Sequence, residues 1–308
     1  MKRDLLSLQD LTRPEIFRVL DLTEKVKSDR SGYQTALQGK SIALVFQKPS
    51  NRTRVSFEVG INQLGGNCIY LGPTEINLGV RESVEDVSKT LSRYLDGIIA
   101  RTFYHQDIVE LSKNSSISIV NGLSDLYHPC QALTDIFSFK EKVGTLEGRT
   151  LAYIGDGNNV CHSLLLACSK VGINMNIATP PGYEPDVEIL KIAQASADLT
   201  NAKLFLTHDP LEASDGVDVI YTDVWVSMGQ EEEQKKRLSD FQGFQINSNF
   251  FARANSNAIF MHCLPAHRDQ EVSVEVIDGP QSIVFDQAEN RLHTQKAILL
   301  FLMEGLSS

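Results

Sequence analysis

Long apolar runs and basic clusters are features that this sequence lacks. Nowhere in the 308 residues do the roughly 18 consecutive apolar residues of a transmembrane helix occur, so no membrane span is expected. Lysine and arginine number 29 against 39 aspartate and glutamate, giving a net charge of −10, and they form no long basic run. We therefore expect neither nucleic acid nor an anionic membrane as the main partner.

Cysteine motifs and targeting signals are also missing. The five cysteines are scattered without the C-x-x-C spacing of a structural zinc site or the pattern of a disulfide framework, which is typical of a reducing compartment. The N-terminal segment has neither the apolar core and cleavage site of a signal peptide nor the acid-poor composition of a transit peptide. Together these absences predict a cytoplasmic protein.

The patterning that is present predicts an α/β fold. Short apolar runs such as Ser41–Phe46 and Thr150–Ile154 read as buried strands, and segments with helical periodicity lie between them. Near the end, residues 283–285 are predicted as a strand and residues 295–304 as the final helix. This alternation predicts parallel sheets flanked by helices.

A length of 308 residues suggests two domains. The best boundary is the polar segment 142–149, which contains two glycines and separates a long helix from a fresh strand. We therefore predict one α/β domain over residues 1–143 and a second over 144–287.

Most of the chemically distinctive residues follow predicted strands. In open parallel sheets, ligands bind beyond the carboxyl ends of the strands. The loops at these ends comprise residues 49–54, 101–102, 128–131, 155–159, 223–229 and 262–265.

The S-N-R-T-R sequence at 50–54 follows a strand and opens a helix. Hydroxyls, free backbone N–H groups and a guanidinium together suit a phosphate group. The alternative is that Ser50 is a helix cap and that Arg54 pairs with Glu58 one turn later.

His128 and Gln131 lie three residues apart at another helix start. Both could donate hydrogen bonds to a carbonyl oxygen or oxyanion, and a cap or surface histidine is the alternative. The glycine-containing loop 155–160 ends in Val160, where a dinucleotide-binding fingerprint would have glycine, so a nicotinamide cofactor is not expected.

Two further strand ends carry Asp223 and the pair His262–Cys263. A carboxylate at this position could hold a substrate ammonium group or could simply cap a helix. Cys263 could be a nucleophile with His262, or a metal ligand together with His267. Neighbouring residues on a strand point to opposite faces, however, and a buried structural cysteine is a serious alternative.

Four motifs in order give the sequence a specific resemblance. S-N-R-T-R, H-P-C-Q, D-V-W-V-S-M-G and H-C-L-P occur at plausible spacing, and the similarity extends to D-Q-A-E-N-R at 286–291. The chain resembles the aspartate/ornithine transcarbamylase family, and within it the branch that uses ornithine.

This resemblance implies transfer of a carbamoyl group from carbamoyl phosphate to the δ-amino group of L-ornithine, with no cofactor and no metal. It also implies that residues 288–308 complete the first domain and that the chains form homotrimers, alone or in larger assemblies, with active sites at subunit interfaces.

The same resemblance assigns roles to particular residues. The residues implied for carbamoyl phosphate are Ser50, Asn51, Arg52, Thr53, Asn77, Arg101, His128, Gln131 and Arg291. Those implied for ornithine are Asn159, Asp223, Ser227 and Met228, with Cys263 and Leu264 at the reacting amine. Arg101, His128 and Cys263 are the implied catalytic residues, and we hypothesise that Cys263 acts as a thiolate.

Two positions depart from the family pattern, and other functions stay open. Asn51 replaces the usual threonine, and Asn77 replaces a glutamine that often reaches into a neighbouring subunit. The alternatives are carbamoyl transfer to aspartate, putrescine or an N-acylated ornithine, or a binding protein that keeps the fold without catalysis. The S-M-G loop and the cysteine of H-C-L-P favour ornithine.

Overall fold

A computed structural model describes residues 2–226 and 231–303. Its strands are β1 (Ser41–Phe46), β2 (Asn67–Leu71), β3 (Gly97–Arg101), β4 (Ser118–Leu123), β5 (Thr150–Ile154), β6 (Asn174–Ala178), β7 (Leu204–Thr207), β8 (Val219–Thr222) and β9 (Ile259–His262). Its helices are α1 (Arg13–Ser28), α2 (Asn51–Gln63), α3 (Pro73–Ile76), α4 (Val84–Leu91), α5 (His105–Asn114), α6 (Pro129–Val143), α7 (Asn159–Val171), α8 (Val187–Thr200), α9 (Pro210–Ala213), α10 (Gln234–Asp240), α11 (Ser248–Phe251), α12 (Val274–Ile277) and α13 (Val284–Met303). The chain divides into two compact units at Phe137/Ser138 and at Ala288/Glu289, so the segment from Glu289 onward belongs with the N-terminal unit.

The first unit contains a parallel sheet in the order β2-β1-β3-β4. Residues 42–46 of β1 are fully buried, as expected for a central strand that is covered on both faces. The second unit contains a parallel sheet in the order β7-β6-β5-β8-β9. The predicted fold class, parallel sheets flanked by helices in two units, is confirmed.

Each strand order contains one point where the direction of winding reverses. In the first sheet this point lies between β1 and β3, which pair directly. In the second sheet it lies between β5 and β8. Because the loops at such a point diverge to opposite sides of the sheet, they leave a crevice at the carboxyl ends of the two strands. The fold therefore indicates one crevice beside residues 47–54 and Arg101, and another beside residues 155–159 and Asp223.

Helix α13 packs against the first unit, as predicted for the C-terminal segment. The guanidinium of Arg3 lies 4.3 Å from the ring centroid of Phe301, and Lys296 Nζ donates to Gln63 Oε1 at 3.1 Å. At Gly97 the helix comes so close to β3 that an added Cβ would lie 2.7 Å from Met303 Cε. Glycine at the start of β3 therefore permits this contact.

The prediction of a strand at residues 283–285 is wrong, because most of this segment belongs to a helix. Val284 begins α13, and the backbone N–H of Gln287 donates to the carbonyl of Ile283 with the spacing of an α-helix. Ser282 alone forms an isolated parallel bridge, to Phe260. A three-residue apolar run fits either structure, and here the helical periodicity of the following residues prevails.

No helix in residues 2–226 and 231–303 combines the length and apolar character needed to cross a bilayer. All five cysteines lie in these ranges, and no disulfide joins any of them.

Candidate active site

The start of α2 forms a cradle at the carboxyl end of β1. Ser50 is the N-cap, and its hydroxyl accepts a hydrogen bond from the backbone N–H of Thr53 at 3.3 Å. The first N–H groups of a helix have no intrahelical partners, and the helix dipole gives them partial positive charge. The cap predicted as an alternative is confirmed, and such a helix start also favours an anion. Asn51 is exposed and Arg52 is half-buried at this end.

Two buried arginines converge on the same helix turn. Arg101 Nη1 lies 3.5 Å from Thr53 Oγ1, and Arg291 Nη2 lies 3.3 Å from the same hydroxyl. Arg291 Nη1 also donates to Gln131 Oε1. All four side chains are buried. The structure therefore brings together residues from β3, α2, α6 and α13 that the family resemblance implies for carbamoyl phosphate.

The charges in this cluster repel one another. Burial, followed by the neighbouring charges of Arg291 and Arg52, lowers the pKa of Arg101 to about 10. Arg101 is thus still protonated at neutral pH, and its Nε is buried without a hydrogen-bond partner among the described residues. Concentrated positive charge with unused donors is suited to a bound dianion.

His128 is neutral in this environment. Burial holds its pKa well below the ordinary value of 6.5, and the charges of Arg291, Arg101 and Arg52 act in the same direction. It immediately precedes α6, whose first residue is Pro129, as predicted. A neutral imidazole can donate a hydrogen bond to a carbonyl oxygen without adding another charge to the cluster.

In the second unit, Asp223 lies just after β8. Asp223 Oδ2 accepts a hydrogen bond from Asn158 Nδ2 at 2.8 Å, and Asp223 Oδ1 accepts from the Cys263 thiol at 3.0 Å. The backbone N–H of Val224 also donates to Oδ1, at 2.8 Å. Asp223 thus does not cap a helix. Its carboxylate contacts residues that follow β5 and β9, the two strands that pair with β8. An anionic group held in this way suits a substrate ammonium group.

Cys263 and His262 do not form a catalytic pair. Cys263 faces Asp223, whereas His262 Nε2 lies 3.3 Å from the buried carboxylate of Glu271. Cys263 is partly exposed rather than buried in the core. The separate partners match the expectation that adjacent residues on a strand point in different directions.

Asp223, His262 and Cys263 are also the residues that could hold a metal. Their ligand atoms lie within 4.8 Å of one another. Both ring nitrogens of His262 already have hydrogen-bond partners, since Nδ1 accepts from Leu264 N at 2.9 Å and Nε2 faces Glu271. The thiol likewise donates to Asp223, so these hydrogen bonds already account for the geometry of the three groups.

Comparison with known proteins finds a family model for each half of the chain. The family model described as "Aspartate/ornithine carbamoyltransferase, carbamoyl-P binding domain" matches residues 3–141, and the one described as "Aspartate/ornithine carbamoyltransferase, Asp/Orn binding domain" matches residues 147–302. The chain belongs to the aspartate/ornithine carbamoyltransferase family. The resemblance inferred from the four motifs is confirmed.

Individual relatives are similar along nearly their whole length. The chain is 50% identical to ornithine carbamoyltransferase of Thermococcus kodakarensis over 306 residues, which cover 99% of this chain and 97% of that protein. It is 52% identical to ornithine carbamoyltransferase of Bacillus thuringiensis subsp. konkukian over 304 residues, which cover 99% and 95%. The solved structure of ornithine carbamoyltransferase from Pyrococcus furiosus has a TM-score of 0.96 at 48% identity, covering 99% of this chain and 98% of that one.

Three further residues that the resemblance implies for the substrates are Asn77, Ser227 and Met228. Ser227 and Met228 lie outside the described residues. Asn77 is exposed, has a positive φ of 39° at the end of α3, and its side chain makes no hydrogen bond within the described ranges. Its predicted contact with a substrate stays a prediction. Arg54 has a local role, since Nε lies 3.4 Å from Glu58 Oε2, as the alternative interpretation predicted.

Asn158 is a site residue that sequence reasoning missed. Asn159 was predicted, but Asn158 is the residue whose amide contacts Asp223, and its Oδ1 caps α7 by accepting from Val160 N at 2.9 Å and Cys161 N at 3.2 Å. Its position just before a helix was a signal for a cap. The contact with Asp223 could not be read from the sequence, because it depends on the pairing of β5 with β8.

Arg237 was missed as well. Its Nη1 donates to Asp156 Oδ2 at 2.7 Å and to the carbonyl of Trp225 at 3.1 Å, so it joins the loop after β5 to the segment after β8. Burial raises the pKa of Asp156, and the charge of Arg237 opposes this rise. Nothing in the polar sequence around Arg237 distinguished it from the neighbouring lysines.

Proposed function

We propose that this enzyme transfers the carbamoyl group of carbamoyl phosphate to the δ-amino group of L-ornithine, giving L-citrulline and phosphate. The observation that carries the proposal is the convergence of Arg101 and Arg291 on Thr53 at the start of α2. Residues 1–143, completed by 288–308, would form the carbamoyl-phosphate-binding domain, and residues 144–287 the ornithine-binding domain. The family-model match over residues 3–141 supports the extent of the first domain, and the grouping of residues from Glu289 onward with the N-terminal unit supports its completion by the C-terminal segment.

The phosphate group is proposed to lie at the N-terminus of α2. The backbone N–H groups there, with the side chains of Ser50, Asn51, Arg52 and Thr53, would surround its oxygens. Arg101 and Arg291 supply charge from within the protein, where water screens it little. This arrangement favours binding of a dianion.

The carbonyl end of carbamoyl phosphate is proposed to contact Arg101, His128 and Gln131. The neutral amine of ornithine attacks the carbonyl carbon, a C–N bond forms, and the carbonyl oxygen becomes an oxyanion. Arg101 and the neutral imidazole of His128 stabilise this charge as it develops. The intermediate then collapses, the C–O bond to phosphate breaks, and phosphate leaves with the bonding electron pair.

The amine is proposed to be held by the second unit. Asp223 would accept hydrogen bonds from the substrate amino group, with Asn159, Ser227 and Met228 as further contacts. Cys263 and Leu264 would lie beside the reacting nitrogen. Cys263 Sγ lies 3.0 Å from Asp223 Oδ1. A protonated thiol at this distance would orient Asp223 and the amine by donating to the carboxylate, and the departing phosphate would take the proton that the amine releases; a thiolate would instead favour that proton's loss.

Assembly, location and pathway are part of the same proposal. We place the enzyme in the cytoplasm as a homotrimer, alone or in a larger assembly, with the exposed Asn77 available to a neighbouring subunit. Carbamoyl phosphate is a mixed anhydride and citrulline is a urea, so the reaction is favourable toward citrulline. This direction serves arginine biosynthesis.

The test is citrulline formation from carbamoyl phosphate and L-ornithine, with putrescine, L-aspartate and N-acetylornithine assayed in parallel. Product from ornithine alone is the expected result. Turnover with a different amine would keep the phosphate site but overturn the assignment of Asp223 and the S-M-G loop. Binding of carbamoyl phosphate without turnover of any amine would identify a binding protein instead.

A further inference from the structure

A buried carboxylate lies behind the H-C-L-P motif. Glu271 is fully buried, and its Oε1 accepts a hydrogen bond from the backbone N–H of His267 at 2.6 Å. The same oxygen lies 3.3 Å from His262 Nε2. Glu271 therefore holds the first residue of the 262–267 turn by its side chain and the last by its backbone.

The hydrogen bonds of His262 define its tautomer. Nδ1 accepts the backbone N–H of Leu264 at 2.9 Å, so this nitrogen carries a lone pair. The proton of a neutral ring is then on Nε2, where it faces Glu271. The backbone N–H of His262 donates to Gln287 Oε1 at 3.0 Å, which fixes the residue at the end of β9.

The turn that these bonds hold has an unusual backbone. Leu264 has a φ of 58°, in the left-handed region that residues with a side chain rarely adopt. Its N–H is the group that His262 Nδ1 binds. The histidine side chain thus caps the turn and keeps Leu264 in this conformation, while the Cys263 thiol points to Asp223.

We propose that His262 and Glu271 are positioning residues for the amine half of the site: Glu271 selects the Nε2–H tautomer of His262, and His262 Nδ1 holds Leu264 and Cys263 in place. This inference rests on the proposed function. A purely structural role accounts poorly for the pair, because burying a carboxylate is costly. Glu271 Oε2 makes no hydrogen bond among the described residues, although it lies 3.8 Å from His267 Nδ1.

Three substitutions separate the hydrogen bonds. Glu271→Gln keeps the shape and an acceptor but removes the charge that orients His262. His262→Gln keeps a donor toward Glu271 and loses the acceptor for Leu264, whereas His262→Asn keeps an acceptor near the Nδ1 position and loses the donor. Asp278→Asn is the control, since it disrupts the exposed ion pair with Arg268 on the outside of the same segment.

The readouts are the KM for ornithine, direct binding of carbamoyl phosphate, and the rate at which iodoacetamide alkylates Cys263. The alkylation is measured in a Cys68→Ser background, because Cys68 is the other partly exposed cysteine. Glu271→Gln and His262→Gln are expected to raise the KM for ornithine about tenfold, the effect of losing one hydrogen bond at the site. They should also change the alkylation rate several-fold, with carbamoyl phosphate binding unchanged, and His262→Asn should have the smaller effect.

The proposal is overturned if Glu271→Gln and His262→Gln keep the ornithine KM and the alkylation rate of the parent protein, or if both substrates are affected equally. Nitrogen NMR of histidine-labelled unsubstituted protein tests the tautomer even if a variant does not fold. A proton on Nδ1 of His262 would contradict the proposal. If the unsubstituted protein makes no citrulline, the proposed function fails, whereas the alkylation and tautomer measurements still test the positioning role.

Discussion

Arg291, on the last helix, donates a hydrogen bond to Thr53 in the first turn of α2 over a distance of 3.3 Å. The C-terminal segment thereby adds a positive charge to a cradle that otherwise comes from the first half of the chain. Burial and the neighbouring Arg291 lower the pKa of Arg101 to about 10, so the unliganded cluster is electrostatically unfavourable. Binding a dianion relieves this repulsion.

We expect Arg291→Met to weaken binding of carbamoyl phosphate by roughly 10- to 100-fold, the effect of losing a hydrogen bond to a charged group. The thermal stability of the unliganded protein should not fall, because the substitution removes a buried charge beside Arg101. Isothermal titration and thermal unfolding measure the two effects.

Arg253→Met is the matched control, because Arg253 forms an exposed ion pair with Asp215 in the other unit. It should bind carbamoyl phosphate like the parent protein. Equal binding by Arg291→Met and the parent would remove Arg291 from the phosphate site.

The low pKa of His128 makes stability depend on pH. In the unfolded chain the imidazole takes up a proton as the pH falls below about 6.5. In the folded protein burial and three arginines keep it neutral. The unfolded state therefore binds more protons in this range, so the free energy of unfolding falls as the pH drops below 6.5.

His128→Asn removes this contribution, and the variant should lose less stability than the parent between pH 7.5 and pH 5.5. Urea unfolding at several pH values measures the difference. Parallel curves for the two proteins would show that His128 titrates normally. Because a bound phosphate opposes the arginine charges, saturating inorganic phosphate should reduce the difference.

The phosphate half of the site was largely predictable from the sequence, because much of it is local. A serine cap, a helix start and an arginine follow one another directly after a strand. The place of Arg291 came only from the family resemblance, since no local pattern connects α13 with α2. The fold class followed from alternating apolar runs, whereas the short run at 283–285 fitted both a strand and a helix and was assigned wrongly.

The amine half was less predictable, because its contacts cross between strands. Asp223 and Cys263 were recognised as strand-end residues, but their 3.0 Å contact depends on the pairing of β8 with β9. Glu271 lies in a loop whose sequence gives no sign that its carboxylate is buried. Contacts of this kind require the three-dimensional arrangement of the sheet.

The thiol of Cys263 should matter through its hydrogen bond to Asp223. We expect Cys263→Ala to lower kcat/KM for ornithine about five- to tenfold, the effect of losing one hydrogen bond. Cys263→Ser should lose less, because a hydroxyl can also donate to the carboxylate. Initial rates of citrulline formation over a range of pH measure both variants.

Cys68→Ser serves as the control for thiol removal, since Cys68 lies on an edge strand of the first unit and burial raises its pKa to about 11. It should leave kcat/KM unchanged. A Cys263→Ala variant with the parent's rate and pH profile would show that the thiol has no role in the reaction.

Asn158 combines two tasks that substitution can separate. Its carbonyl oxygen caps α7, and its amide nitrogen donates to Asp223. Asn158→Ser retains a good cap but cannot reproduce the amide donor, so stability should be nearly unchanged while the KM for ornithine rises. Asn158→Ala loses both the helix cap and the amide donor. Its KM for ornithine should therefore also rise, and its free energy of unfolding should fall by about 1 kcal/mol. Thermal unfolding and ornithine kinetics distinguish the two effects. If Asn158→Ser keeps the parent's KM, Asp223 does not depend on this amide, and Asn158 is only a helix cap.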